Sequence, residues 1–153
     1  MEVETEPSLM SKLNKSLVGV GMITLAFAVG RGLIGQVYAP QVLASGNFHQ
    51  VAHKGAGLAT ITRTAAGKHV LRLTNFSTSA APGLSIVLIS APDAYENTTV
   101  LNAQILKVGQ LQQAEGDQEY ALPDGLDLQL YQAVTIWNPK YQVNFTTAPL
   151  RRF

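Results

Sequence analysis

The side chains in this chain with the widest chemical repertoire are three histidines, His49, His53 and His69, and one tryptophan, Trp137. Neutral imidazole ligates metals and haem iron, and histidine titrates close to physiological pH. His49 and His53 stand four apart. That spacing shares a face on a helix, but not on a strand running into a loop. A metal or haem set would therefore need His69 from a neighbouring strand to join them. Trp137 is followed by Asn138, Pro139, Lys140 and Tyr141. It reads either as part of an aromatic binding pocket with Tyr131 and Tyr141 or as a packing residue at a strand end. Asn138 suits the capping of a turn before Pro139. Trp137, Asn138 and Tyr141 are the candidate binding residues.

Other chemistries lack their residues. The chain has no cysteine, which removes disulfides, thiolate metal sites and cysteine nucleophiles. No Gly-x-Ser-x-Gly elbow and no Asp-x-Asp-x-Asp-Gly calcium loop is present. The acids after residue 90 (Asp93, Glu96, Glu115, Asp117, Glu119, Asp124 and Asp127) form no motif that brings two carboxylates to one cleft. No catalytic residue and no metal ligand set is assigned, and the chain is not expected to be an enzyme. The net charge is +1, and the only basic pair is Arg151-Arg152, which reads as a solvated end. That excludes the clustered cations of a nucleic-acid binder.

These residues must be positioned by a β domain. Charged residues make up only 14% of the chain, against about 25% in an average globular protein. From about Leu43 onward, short runs of Val, Ile, Thr, Leu and Tyr alternate with Gly, Pro, Asn and Asp clusters, the pattern of strands and turns. Strands are predicted over 46–51, 57–64, 69–74, 84–90, 104–109, 117–121, 133–137 and 141–147, with one irregular helical turn within 98–104. Ile86 to Ile89 is continuously apolar and should be covered on both faces. In the last strand, Tyr141, Val143 and Phe145 should face the core, with Gln142, Asn144 and Thr146 in water. Ala66-Gly67, Pro82-Gly83 and Pro123-Asp124-Gly125 are turns, and Asn138-Pro139-Lys140 should close an antiparallel hairpin. Without βαβ alternation, the fold class is all-β, an antiparallel sandwich or barrel-like domain over 43–150.

A different texture precedes it. Residues 1–16 read as a disordered cytoplasmic tail or signal-peptide n-region, with Lys12 and Lys15 before the apolar run. Residues 17–39 read as a hydrophobic helix, either a signal peptide or a single transmembrane anchor. In either case the positive-inside rule puts the β domain outside the cytoplasm, in a periplasm, a thylakoid lumen or at a cell surface.

The order of short motifs carries a resemblance. It runs from Ser45-Gly46-Asn47-Phe48 and His53-Lys54-Gly55-Ala56-Gly57 through Leu71 to Phe76 and Pro82-Gly83-Leu84. It continues with Gly116 to Pro123, Val134-Thr135-Ile136-Trp137 and Val143 to Leu150. Over about 43–150 this resembles the DM13 domain, a family of extracytoplasmic β-sandwich modules. A lone domain of this kind behind an N-terminal anchor resembles a bacterial arrangement. The resemblance implies electron transfer in the company of haem-binding partners, centred on a cysteine directly after the motif tryptophan. Here that position is Asn138, which has no redox chemistry. His53 lies in a motif of the family and is the candidate cofactor-binding residue. The reading preferred is a non-catalytic binding or assembly module with no cofactor, whose partners are a membrane through the N-terminal segment and a protein or glycan. The alternative is an accessory of a membrane-associated redox system, and only that alternative calls for haem or a metal.

Overall fold

The computed structural model describes residues 39–153. The polar stretch 1–16 and all but the last residue of the apolar segment 17–39 lie outside the described residues, and so does the expected N-terminal helix. Among the described residues no helix is long and apolar enough to cross a membrane.

The elements run β1 (Gln41–Asn47), β2 (His49–Gln50), β3 (Gly55–Arg63), β4 (His69–Thr78), β5 (Ser85–Ile89), α1 (Asn97–Asn102), β6 (Ile105–Gln110), β7 (Gln118–Ala121), β8 (Ala133–Asn138), β9 (Val143–Pro149) and β10 (Arg151–Arg152). They form two five-stranded sheets, ordered β10-β1-β3-β4-β7 and β2-β9-β8-β5-β6, and every pairing is antiparallel. The fold is therefore an all-β, two-sheet domain.

Alternation on β4 shows why the sheets face each other. Leu71 and Leu73 are fully buried while Arg72 between them is exposed. With Ala59, Ile61 and Phe76 they meet Ile86, Leu88, Val134 and Ile136 of the second sheet in one core. Each such aliphatic side chain, fully buried, contributes about 1.5–3 kcal/mol. The predicted turns hold: Gly67, Gly83 and Gly125 all have positive φ, at 78°, 73° and 73°. The β8–β9 hairpin is as expected, with Asn138 opposite Val143.

Two glycines permit close approaches. Gly57, at φ +106°, sits in a bulge of β3, where a Cβ would lie 2.7 Å from the Phe76 Cα and 2.8 Å from the Asn75 carbonyl oxygen. At Gly46 a Cβ would lie 1.8 Å from the Pro149 carbonyl oxygen, where the chain leaves β9 for β10.

Two expectations are corrected. The strand predicted over 46–51 is not one strand. β1 ends at Asn47, Phe48 turns into the core, and β2 pairs with β9 in the other sheet. The Phe48 ring meets Phe76 edge-on, with centroids 5.0 Å apart, and burying it at this seam outweighs continued pairing in one sheet. The second correction concerns the last strand. Asn144 and Thr146 are fully buried, whereas Tyr141 is 66% exposed. β9 has no water-facing side, because Thr146 packs toward β3 and the outer face is covered, as described next.

Candidate functional site: the covered face of the second sheet

The outer face of the second sheet carries a small apolar cluster of Val87, Ile89, Ala133 and Trp137. Sheets of this kind commonly leave one face to solvent. Here the β5–β6 connection crosses it as a strap. Its neck is closed twice: the Ser90 N–H donates to the Gln104 carbonyl at 3.0 Å, and the Gln104 N–H donates to the Ser90 Oγ at 2.9 Å. Between these points the chain travels out to β2 and returns through α1. Compact excursions with closed ends are frequently functional. Ala94 and Val100 supply its apolar underside, both packed into the Trp137 cluster.

Polar pins fix the strap. The Asn144 N–H donates to Asn97 Oδ1 at 2.8 Å, and its Nδ2 donates to the Ala94 carbonyl at 3.3 Å and to Thr147 Oγ1 at 2.9 Å. Thr147 in turn lies 3.0 Å from the Thr135 hydroxyl. An amide buried this completely must be satisfied, and this one is. At the far edge, His49 Nε2 meets Asp93 Oδ1 at 2.6 Å, and Nδ1 meets the Gln50 carbonyl at 3.0 Å. The imidazole thus bridges the Asp93 carboxylate and the backbone of β2. Tyr95 stacks on the same imidazole, with centroids 4.4 Å apart and planes 19° from parallel. It remains 69% exposed, so its second face is open.

The residues singled out from sequence are dispersed over this frame. Trp137 is buried beneath the strap, 6% exposed, and Tyr131 packs against the core between the sheets. Asn138 is buried too, and its Oδ1 accepts from the Lys140 and Tyr141 N–H groups at 3.1 and 3.2 Å, so its side chain is engaged in the turn. Tyr141 stands exposed with the Lys140 Nζ 5.1 Å from its ring centroid. The His53 ring lies against Phe145, centroids 3.9 Å apart, while His69 pairs opposite Arg63 in the first sheet. The three histidines do not converge, and among the described residues no group of three or more His, Asp or Glu side chains is placed to hold a metal.

Asp93, Tyr95, Asn97, Asn144 and Thr147 form this site, and none of them was a candidate from sequence. One signal was available. The stretch between the strands predicted at 84–90 and 104–109 is longer than an ordinary hairpin connection, and such lengths mark functional or covering loops.

The fold and this covered face define a small all-β module of two five-stranded antiparallel sheets, one of them capped on its outer face by a pinned strap. A family model described as "Electron transfer DM13" matches residues 47–150, more than half of the chain. The chain belongs to the DM13 family. No curated protein and no solved structure matches it.

Proposed function

We propose that this DM13 domain is a non-catalytic binding or assembly module held outside the cytoplasm, on a bacterial membrane surface or in an envelope compartment. The observation that carries this reading is the open ring of Tyr95. It is anchored from behind by His49, which is itself fixed by Asp93, and it projects from a strap pinned to the sheet. An ordered, exposed aromatic offers large contact area at little entropic cost on binding, as in hot spots of protein and ligand interfaces. Leu101 and Ile105, 45% and 42% exposed, extend the apolar character of the strap and the strand that follows it. The partner class is a protein or a glycan. Neither a cofactor nor nucleic acid has a part in this reading.

The family description favours a second reading, an accessory role in a membrane electron-transfer system. In it, His53 would hold a haem or metal, since Asn138 occupies the position of the family's cysteine and its oxygen serves the turn. One experiment separates the two. Protein purified from its native membrane is analysed for metal, haem and bound components, alongside Tyr95→Ala and His53→Ala. Binding predicts a colourless protein and a bound component lost in Tyr95→Ala, with Trp137 emission unchanged. A Soret band or stoichiometric metal that disappears in His53→Ala would overturn it in favour of electron transfer.

A further inference from the structure

We propose that the cleft between the β4–β5 and β6–β7 connections is a binding site for a neutral sugar ring. The site goes beyond the Tyr95 reading and does not depend on it. Tyr95 stands at the β2 margin of the second sheet, and this cleft lies at its β6 margin.

Both connections pass from one sheet to the other, and they run side by side. The Leu111 N–H donates to the Leu84 carbonyl at 2.9 Å, and the Thr78 N–H donates to the Ala114 carbonyl at 2.9 Å. The cleft they enclose has a volume of about 260 Å³. That is just below the range of roughly 300–1,000 Å³ that suits drug-sized ligands, so its occupant is about one ring in size.

The lining has two characters. Ala81, Leu84 and Leu111 are apolar and belong to the packing of the main core. Gln110, Gln112 and Gln113 bring amides. No lining residue carries a charge. An ionised ligand would give up water here without gaining a counter-charge, so a neutral one is favoured.

Two of the amides are held in place before any ligand arrives. The Gln112 N–H donates to the Tyr120 hydroxyl at 2.9 Å, and the Gln113 N–H donates to Gln118 Oε1 at 3.4 Å. The buried Gln118 donates back to the Gln113 carbonyl at 2.9 Å, and the Tyr120 hydroxyl donates to Gln118 Oε1 at 2.5 Å. Each side-chain amide is then fixed at its nitrogen: Gln112 Nε2 donates to the Glu119 carbonyl at 3.2 Å, and Gln113 Nε2 to the Asp117 carbonyl at 3.3 Å. Gly116 makes room for this, since a Cβ there would lie 3.1 Å from Gln113 Nε2. Among the described residues, Oε1 of Gln112, Oε1 of Gln113 and the whole Gln110 amide have no hydrogen-bond partner. Groups already ordered lose little freedom on binding.

Fixed acceptors beside an apolar floor, without charge, ask for hydroxyl donors on a ligand's edge and C–H groups on its face. A pyranose ring has both. A peptide offers its donors along an extended line, which suits a sheet edge better than a cleft one ring wide.

The test is saturation-transfer NMR on the full chain with glucose, maltotriose, cellotriose and chitotriose, since a single ring binds with Kd on the order of 1 mM. Transfer to ring C–H protons of at least one sugar is expected. A trimer bound more tightly than glucose assigns the site to a glycan chain, and equal binding assigns it to a free sugar. Ala81→Leu fills the cleft and should abolish the transfer. Gln110→Ala, an exposed change that breaks no internal bond, should weaken binding about fivefold, the worth of one net hydrogen bond. Tyr95→Ala should bind as the parent does. Thermal melts and Trp137 emission check that each variant is folded. No transfer to any of the four sugars overturns the proposal, and so does transfer that survives in folded Ala81→Leu. Parent-like binding in Gln110→Ala overturns it even if Ala81→Leu does not fold. Glucuronate bound more tightly than glucose overturns the neutral class. N-acetyl-trialanine methylamide bound in place of the sugars overturns the sugar in favour of a peptide. Sugar binding lost in Tyr95→Ala and kept in Ala81→Leu moves the sugar to the Tyr95 platform and overturns this site.

Discussion

Replacing Asn144 with alanine tests whether the strap is held by its polar pins. The side chain is fully buried and provides two donations, to the Ala94 carbonyl and to Thr147 Oγ1. Each such bond is worth about 1 kcal/mol net, and leaving the Ala94 carbonyl without its donor adds about 1 kcal/mol more. The loss is on the order of 3 kcal/mol, which in a domain of this size lowers Tm by roughly 10–15 °C. The local readout is specific, because Asn144 is the cross-strand partner of Trp137, the sole tryptophan. As the strap loosens, Trp137 emission should shift to the red and acrylamide quenching should rise below Tm. Thermal melts followed by circular dichroism and by Trp137 fluorescence make the measurement, with Gln142→Ala as the exposed control, expected within about 0.5 kcal/mol of the parent. An Asn144→Ala protein with the parent's Tm and the parent's emission would refute the assignment of Asn144 as the pin.

Three further outcomes follow from the same geometry. His49→Ala and Asp93→Asn, combined in a double-mutant cycle of urea unfolding, should show a coupling of about 1 kcal/mol, since the two side chains meet at 2.6 Å and are only about a quarter exposed (24% and 26%). Gly57→Ala should cost more than about 1 kcal/mol by urea midpoint, because its backbone lies at φ +106° and the added Cβ meets the backbone of β4. Burial raises the Tyr120 phenol above its ordinary 10.0, the hydrogen bond from the Gln112 N–H only partly opposing it. Above pH 10 the unfolded chain then loses this proton before the folded one does. Stability should therefore fall as pH rises from 10.0 through the folded value, and in Tyr120→Phe that part of the decline should vanish.

The inner faces of the sheets were legible because their alternation is written in aliphatic residues, as at Leu71, Arg72 and Leu73. The double coverage of β5 was legible for the same reason, from Ile86 to Ile89. Family membership was legible through the order of motifs from Ser45-Gly46 to Pro149-Leu150, each weak alone. What escaped was whatever depends on a partner distant in sequence. Asn144 and Thr146 look solvated by type, and only the strap and β3 bury them. The switch at Phe48 joins two sheets within what reads as one strand, because an aromatic residue in a β run fits either course. The His49, Asp93 and Tyr95 group combines positions more than forty residues apart, and no spacing rule reaches that far.

The sheet order has one more consequence. Along one side of the domain both sheets end in two-residue strands, β10 and β2, the first carrying two arginines. Along the other side the margins β6 and β7 present Lys107 and Glu119 outward. Strands this short, or this charged, give a neighbouring chain little ladder to extend. Two copies brought together should therefore have little tendency to join edge to edge through a continuous sheet.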